Sequence, residues 1–223
     1  MPANTTNQQI TYPIGTDLAD NPLAFTDMLA DAENRLAQRY TSAVDRAARN
    51  PAPNTGEISW IAGNSWYERY TGAKWIPFTS IQAVKTANQI VNNSTAFVND
   101  AALAVTAPAA STVYAFEATI GYLSTTVADI KFQLSVPVGA AYNITGAGLA
   151  TGAAGVTGDM NAAWSSTTLA FGGGGADTAV MLSGLVSVAA TTGTVTLQWA
   201  QNTLEATNTT VYARSWIRLL AIQ

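Results

Sequence analysis

The sequence predicts a mainly β protein. A C-terminal antiparallel β-sandwich is preceded by an N-terminal arm, one long α-helix and a small Trp-rich three-stranded sheet. Three observations carry this. Residues 81–223 are dominated by Val, Thr, Ala and Ile, with turn residues roughly every 8 to 12 positions. Several runs there alternate apolar and polar side chains, as strands with one buried face do. Charged residues make up only 11% of the 223 residues, less than half of the usual ~25%. Such a composition suits a tightly packed β domain, an assembled subunit, or both.

Residues 1–20 read as an extended N-terminal arm, polar and broken by Pro13 and Gly15. Residues 21–54 read as a helix followed by a stiff "PAPN" linker. In "NPLAFTDMLADAENRLAQRYTSAVDRAARNP", Asn21 suits the N-cap and Pro22 the first helical position. Phe25, Leu29, Ala32, Leu36, Tyr40 and Ala47 fall on a narrow stripe, and Arg46 and Arg49 complement the C-terminal dipole. Asn50-Pro51 stops the run. Such a helix spans roughly 40 Å. No second helix follows it, so Phe25, Leu29, Leu36 and Tyr40 are expected to form a seam between chains, with packing on its own chain as the alternative.

Residues 55–80, "TGEISWIAGNSWYERYTGAKWIPF" with its flanks, read as a small β module with strands near Glu57–Ile61, Trp66–Tyr70 and Lys74–Phe78. Trp66 and Tyr70 point to one face, Tyr67 and Arg69 to the other. A sheet of about 25 residues has too little core to stand alone. Trp60, Trp66 and Trp75 are therefore expected to pack on another copy or another part of the chain. An exposed aromatic platform for sugars is the functional alternative.

Residues 81–223 read as the sandwich. Candidate strands are Thr95–Val98, Ala101–Val105, Val113–Leu123, Asp129–Val136, Thr178–Ser187, Thr194–Gln201 and Thr210–Ile222. "DIKFQLSV" puts Ile130, Phe132, Leu134 and Val136 on one face; "VYAFEATIGYL" puts Tyr114, Phe116 and Ala118 opposite Val113, Ala115 and Glu117. Seven or eight strands in about 140 residues predict a jelly roll. "YNITGAGLATGAAGVTGDMNAAWSS" reads as a long apical loop and "FGGGGAD" as a turn.

The composition excludes several chemistries. There is no Cys and no His, so disulfides, thiolate catalysis, the usual zinc sites and His-dependent triads are absent. A net charge of −4 and a pI near 4.6 argue against a phosphate-binding surface. "GAGLATG" misses the dinucleotide-binding spacing, and no GK[ST] follows a Gly run. Asp159 and Asp177 flank the Gly-rich loops and could share a cation, but no ligand ladder accompanies them. The acids of the sandwich, Asp100, Glu117, Asp129, Asp159, Asp177 and Glu205, are dispersed in sequence, so no carboxylate pair for glycoside hydrolysis shows there and pairing in space stays open. No catalytic, metal or cofactor residue is assigned. The N-terminus lacks the basic and apolar regions of a signal peptide, and no stretch approaches 18 consecutive apolar residues.

The closing stretch "TVTLQWAQNTLEATNTTVYARSWIRLLAIQ" is the exception in a bland chain. By strand parity Val195, Leu197 and Trp199 share a face. Val211, Ala213, Ser215, Ile217 and Leu219 share one face of the last strand, and Tyr212, Arg214, Trp216, Arg218 and Leu220 the other. A strand with substantial side chains on both faces needs cover on both. Trp, Tyr and Arg are enriched at interface centres, so Tyr212, Arg214, Trp216 and Arg218 are the expected subunit contact; a ligand surface built from the same side chains is the alternative.

With "STVYAFEATIGYLST" and "ADIKFQLSVPVGA", this stretch resembles the C-terminal β domain of many tailed-bacteriophage virion proteins, over roughly residues 90–222. "YPIGTDLADNP", the helix and the Trp-rich module resemble the attachment region of phage minor tail proteins. The resemblance implies a homotrimeric jelly roll of the tumour-necrosis-factor type on the virion surface, synthesised in the host cytoplasm. It implies a non-enzymatic minor tail or short tail-fibre protein. Its partners would be its own copies, other phage tail or capsid proteins through the arm and helix, and host cell-surface carbohydrate. Nucleic acid and membrane are not expected partners. The chain lacks a long repetitive shaft, which keeps a capsid decoration or head-fibre protein as the alternative. A carbohydrate-cleaving tailspike is the third reading.

Overall fold

A computed structural model describes residues 3–4, 11–12, 38–63, 65–78, 80–107, 109–152 and 165–222. The chain divides into two units, residues 1–79 and 80–223.

In the first unit, β1 (Ala3–Asn4) and β2 (Thr11–Tyr12) pair antiparallel. A four-stranded sheet then runs in order β3 (Gln38–Tyr40), β4 (Ile58–Ile61), β5 (Trp66–Tyr70), β6 (Trp75–Pro77). The three strands read from the sequence are present. The fourth, β3, joins β4 in parallel, and it overturns part of the expected helix. Of that helix, residues 21–37, with Phe25, Leu29 and Leu36, lie outside the described residues. Within residues 38–50 the chain forms β3, then a short helix α1 (Ala43–Arg49). The reason is local. Ser42 sits in extended backbone and its hydroxyl accepts from the Asp45 N–H at 3.1 Å, while the Asp45 carboxylate accepts from the Thr41 N–H at 2.8 Å. This reciprocal cap starts a new helix at Ala43. Tyr40, expected on a helical seam, is instead 1% exposed on β3, inside its own unit.

The second unit is two antiparallel sheets over one core. Its strands are β7 (Ile81–Val84), β8 (Gln89–Val91), β9 (Val98–Ala107), β10 (Thr112–Leu123), β11 (Ile130–Ser135), β12 (Ala141–Ala147), β13 (Leu169–Phe171), β14 (Thr178–Val188), β15 (Gly193–Gln201), β16 (Thr209–Val211) and β17 (Trp216–Ala221). One sheet carries β7-β17-β10-β14-β12 as a continuous path, with β16 pairing both the end of β10 and β8. The other runs β13-β11-β15-β9. Alternation along β10 is complete: Tyr114, Phe116, Ala118, Ile120 and Tyr122 are buried and their neighbours are half-buried. They face Ile130, Phe132 and Leu134 on β11 and Val195, Leu197 and Trp199 on β15, so the expected inward faces of these strands are the observed ones. Tyr122 meets Phe132 edge-on at 6.3 Å, and Phe132 meets Phe171 at 6.1 Å. The Tyr122 hydroxyl donates to the Gly172 carbonyl at 2.7 Å, so its ring is buried without an unpaired polar tip.

Three strand expectations change. The segment opening at Tyr142, expected as a loop, begins as β12, which lies in register along β14. Of the expected strand Thr95–Val98 only Val98 is extended; it opens β9, which takes in Ala101–Val105 and whose register against β15 slips between Asn99 and Ala104. The expected strand Thr210–Ile222 is broken in two: Arg214 adopts φ +70° and a turn separates β16 from β17.

Candidate functional site

The feature most suited to a partner in the second unit is the outer face of the β7-containing sheet. Strand register stacks its side chains in rows. One row runs Thr145, Ser183, Glu117, Arg218, Gln82; the next runs Ala147, Met181, Thr119, Trp216, Val84. A third carries Asn143, Leu185, Ala115 and Leu220. The first two rows, without their β7 members Gln82 and Val84, line an open groove of about 580 Å³. Met181 is 62% exposed on it, and Leu185 and Leu220 are 37% exposed beside it.

Charge is confined to one pair. The Arg218 guanidinium donates through Nε to Glu117 Oε2 at 2.7 Å, and its Nη2 lies 2.5 Å from the same oxygen. It also stacks 5.7 Å from the centre of the Trp216 ring. Both partners stay nearly half exposed, so the pair fixes side-chain positions more than it adds stability.

The four side chains expected together at the C-terminal end separate. Trp216 and Arg218 line the groove. Tyr212 precedes β17 and its hydroxyl donates to Asp177 Oδ1 at 2.5 Å, a bond that raises its pKa. Arg214 is exposed on the turn. The sequence does not mark Glu117, Met181, Ser183 or Leu185 as contact residues. The parity of "VYAFEATIGYL" placed Glu117 outward, but nothing in the sequence paired β10 with β17.

The module tryptophans also divide. Trp75 lies under the Arg46 guanidinium, 4.4 Å from its ring centre, and packs on Tyr70; Trp66 donates to Glu68 at 3.0 Å. Arg46 also forms an ion pair with Glu68. This face of the small sheet is covered by α1 of the same chain. Trp60 lies on the opposite face.

The described acids of the second unit are each engaged with a partner that is not an acid. Asp100 pairs with Lys85, Glu117 with Arg218, Asp177 with Tyr212 and Glu205 with Thr125. Asp129, at φ +50°, accepts from the Gly173 and Gly152 N–H groups at 2.8 and 3.2 Å. Burial pushes its pKa up, and those two bonds pull it back in part. Asp159 lies outside the described residues. Among the described residues no group of three or more acids could hold a metal, and no helix is long and apolar enough to cross a membrane.

No protein-family model matches the chain, and no curated protein matches it. Among solved structures, the chain is similar to the infectious bursal disease virus VP2 subviral particle at 10% identity and a TM-score of 0.17, over 70% of this chain and 47% of that one. The infectious bursal disease virus Gx strain structure gives 12% identity and a TM-score of 0.16, over 70% and 46%. The chain thus spans about half the length of the structures it matches. Overlap that loose fixes neither fold nor function.

Proposed function

We propose that the chain is a structural, non-enzymatic surface protein of a tailed-bacteriophage virion, a homotrimeric minor tail or short tail-fibre protein. Its N-terminal region attaches it, and its C-terminal unit is a displayed jelly-roll head. The strand order supports the jelly roll. Setting aside β8, β12 and β16, eight strands remain. Numbered along the chain, they lie 1-8-3-6 in one sheet and 2-7-4-5 in the other, the order two nested Greek keys produce.

The observation that carries the reading is the outer face of the 1-8-3-6 sheet. A solvated face of a sandwich is expected to be small and polar. This one presents Met181, Leu185, Trp216 and Leu220 around a single ion pair, the apolar centre and sparse charge of a subunit interface. Three-fold order comes from the sequence resemblance to phage virion proteins. The dispersal of the described acids, each with its own partner, favours a structural role over polysaccharide cleavage.

The test is location on intact particles. Gold-labelled antibody against residues 80–223 is expected to mark the tail. Label on the capsid shell would replace the tail assignment with the decoration reading, and absence from purified particles would overturn both.

A further inference from the structure

We infer that the face of the small sheet opposite α1 is a binding platform for acidic carbohydrate. Trp60 on β4 and Tyr67 on β5 are cross-strand partners with ring centres 4.8 Å apart. Phe78 continues the row, its N–H bonded to the Tyr67 carbonyl and its ring 5.8 Å from Tyr67. Tyr67 is 39% and Phe78 43% exposed. Arg39 lies beside Trp60 in register, and Arg69 lies two residues from Tyr67 on the same face. Both arginines are exposed.

The charges of this sheet are segregated. Glu68 points to the α1 side, where it holds Arg46 and Trp66. Glu57 is buried and bonded to Asn50 and the Asn54 N–H. Among the described residues, Arg39 and Arg69 thus share their face with three rings and no acid.

That arrangement selects its occupant. A second copy docking face to face across a two-fold axis would set arginine against arginine, with no acid among the described residues of the face to answer them. Nucleic acid is disfavoured, because two cations on a chain of net charge −4 neutralise few phosphates. A peptide hot spot needs a desolvated pocket, and the Tyr67 and Phe78 rings remain 39% and 43% exposed. A sugar ring offers an apolar C–H face for stacking and a polar rim, matching amphipathic aromatic rings. A carboxylate on that sugar accepts the planar fork of an arginine.

The test uses the full chain with oligogalacturonate as the acidic probe, oligomaltose of equal length as the neutral probe and oligoglutamate as the acidic peptide probe. Oligogalacturonate is expected to bind and to change tryptophan fluorescence. Arg39→Gln with Arg69→Gln should weaken it at least tenfold, and Tyr67→Ala should abolish it, with melting temperature and oligomeric mass unchanged. Absence of oligogalacturonate binding would overturn the proposal, as would equal binding of oligomaltose or oligoglutamate. A fall in oligomeric mass with Tyr67→Ala would also overturn it, by making the face a subunit contact. Because the readout is on the first unit, failure here leaves the sheet-face interface of the second unit standing.

Discussion

Lys85 and Asp100 show how one residue pair is placed by a local irregularity. The register slip in β9 turns the Asp100 carboxylate inward, where it accepts from Lys85 Nζ at 2.7 and 2.9 Å. The two side chains are 4% and 0% exposed. Removing one partner of a buried pair leaves a bare charge, at a cost of about 3–5 kcal/mol. Asp100→Ala is expected to lower unfolding free energy by that amount in urea titration, while Lys85→Met with Asp100→Leu should cost much less. The pair was not legible in the sequence, because nothing there showed that β9 would slip. Asp129 supplies a second residue-scale prediction. Its folded pKa is raised, so the folded state holds the proton more tightly than the unfolded chain. Its charge therefore costs stability above the folded pKa, and the cost is relieved as pH falls through that value towards ~3.8. Relative to Asp129→Asn, the native protein should gain melting temperature between pH 7 and pH 4. A gain of the variant over the native protein across that fall would reverse the sign.

At the scale of elements, strands with clean two-residue periodicity were legible. β10, β11 and β15 fall where alternation placed them, because a long strand with one buried face must alternate. The failures have physical causes. "AYNITGA" is bland, yet it forms β12 because Gly184 on β14 lets the backbones close up. A Cβ on Gly184 would lie 2.1 Å from the Asn143 carbonyl oxygen. Gly184→Ala is expected to destabilise the second unit by about 1–3 kcal/mol, with loss of amide protection along β12 in hydrogen exchange. The helix failed differently. A three-to-four spacing continued through Tyr40, but Thr41-Ser42 with Asp45 is a start signal inside that pattern. Partnership with β4 then drew Gln38–Tyr40 into a sheet. The outward direction of half of the expected row was legible. Parity correctly sent Trp216 and Arg218 outward, but it ran through the Arg214 turn, where alternation no longer applies.

At the scale of the whole molecule, the central claim is that the apolar sheet face of the second unit is covered by other copies of the chain. Leu185→Glu with Leu220→Glu adds charge to that face without touching the buried core, so it should release folded monomer rather than unfold the protein. The most direct measurement is sedimentation equilibrium of the purified full chain beside this double variant. The account predicts a native mass three times the 23.2 kDa of one chain, and a folded monomer for the variant. A native protein that sediments as a stable folded monomer at micromolar concentration would contradict it.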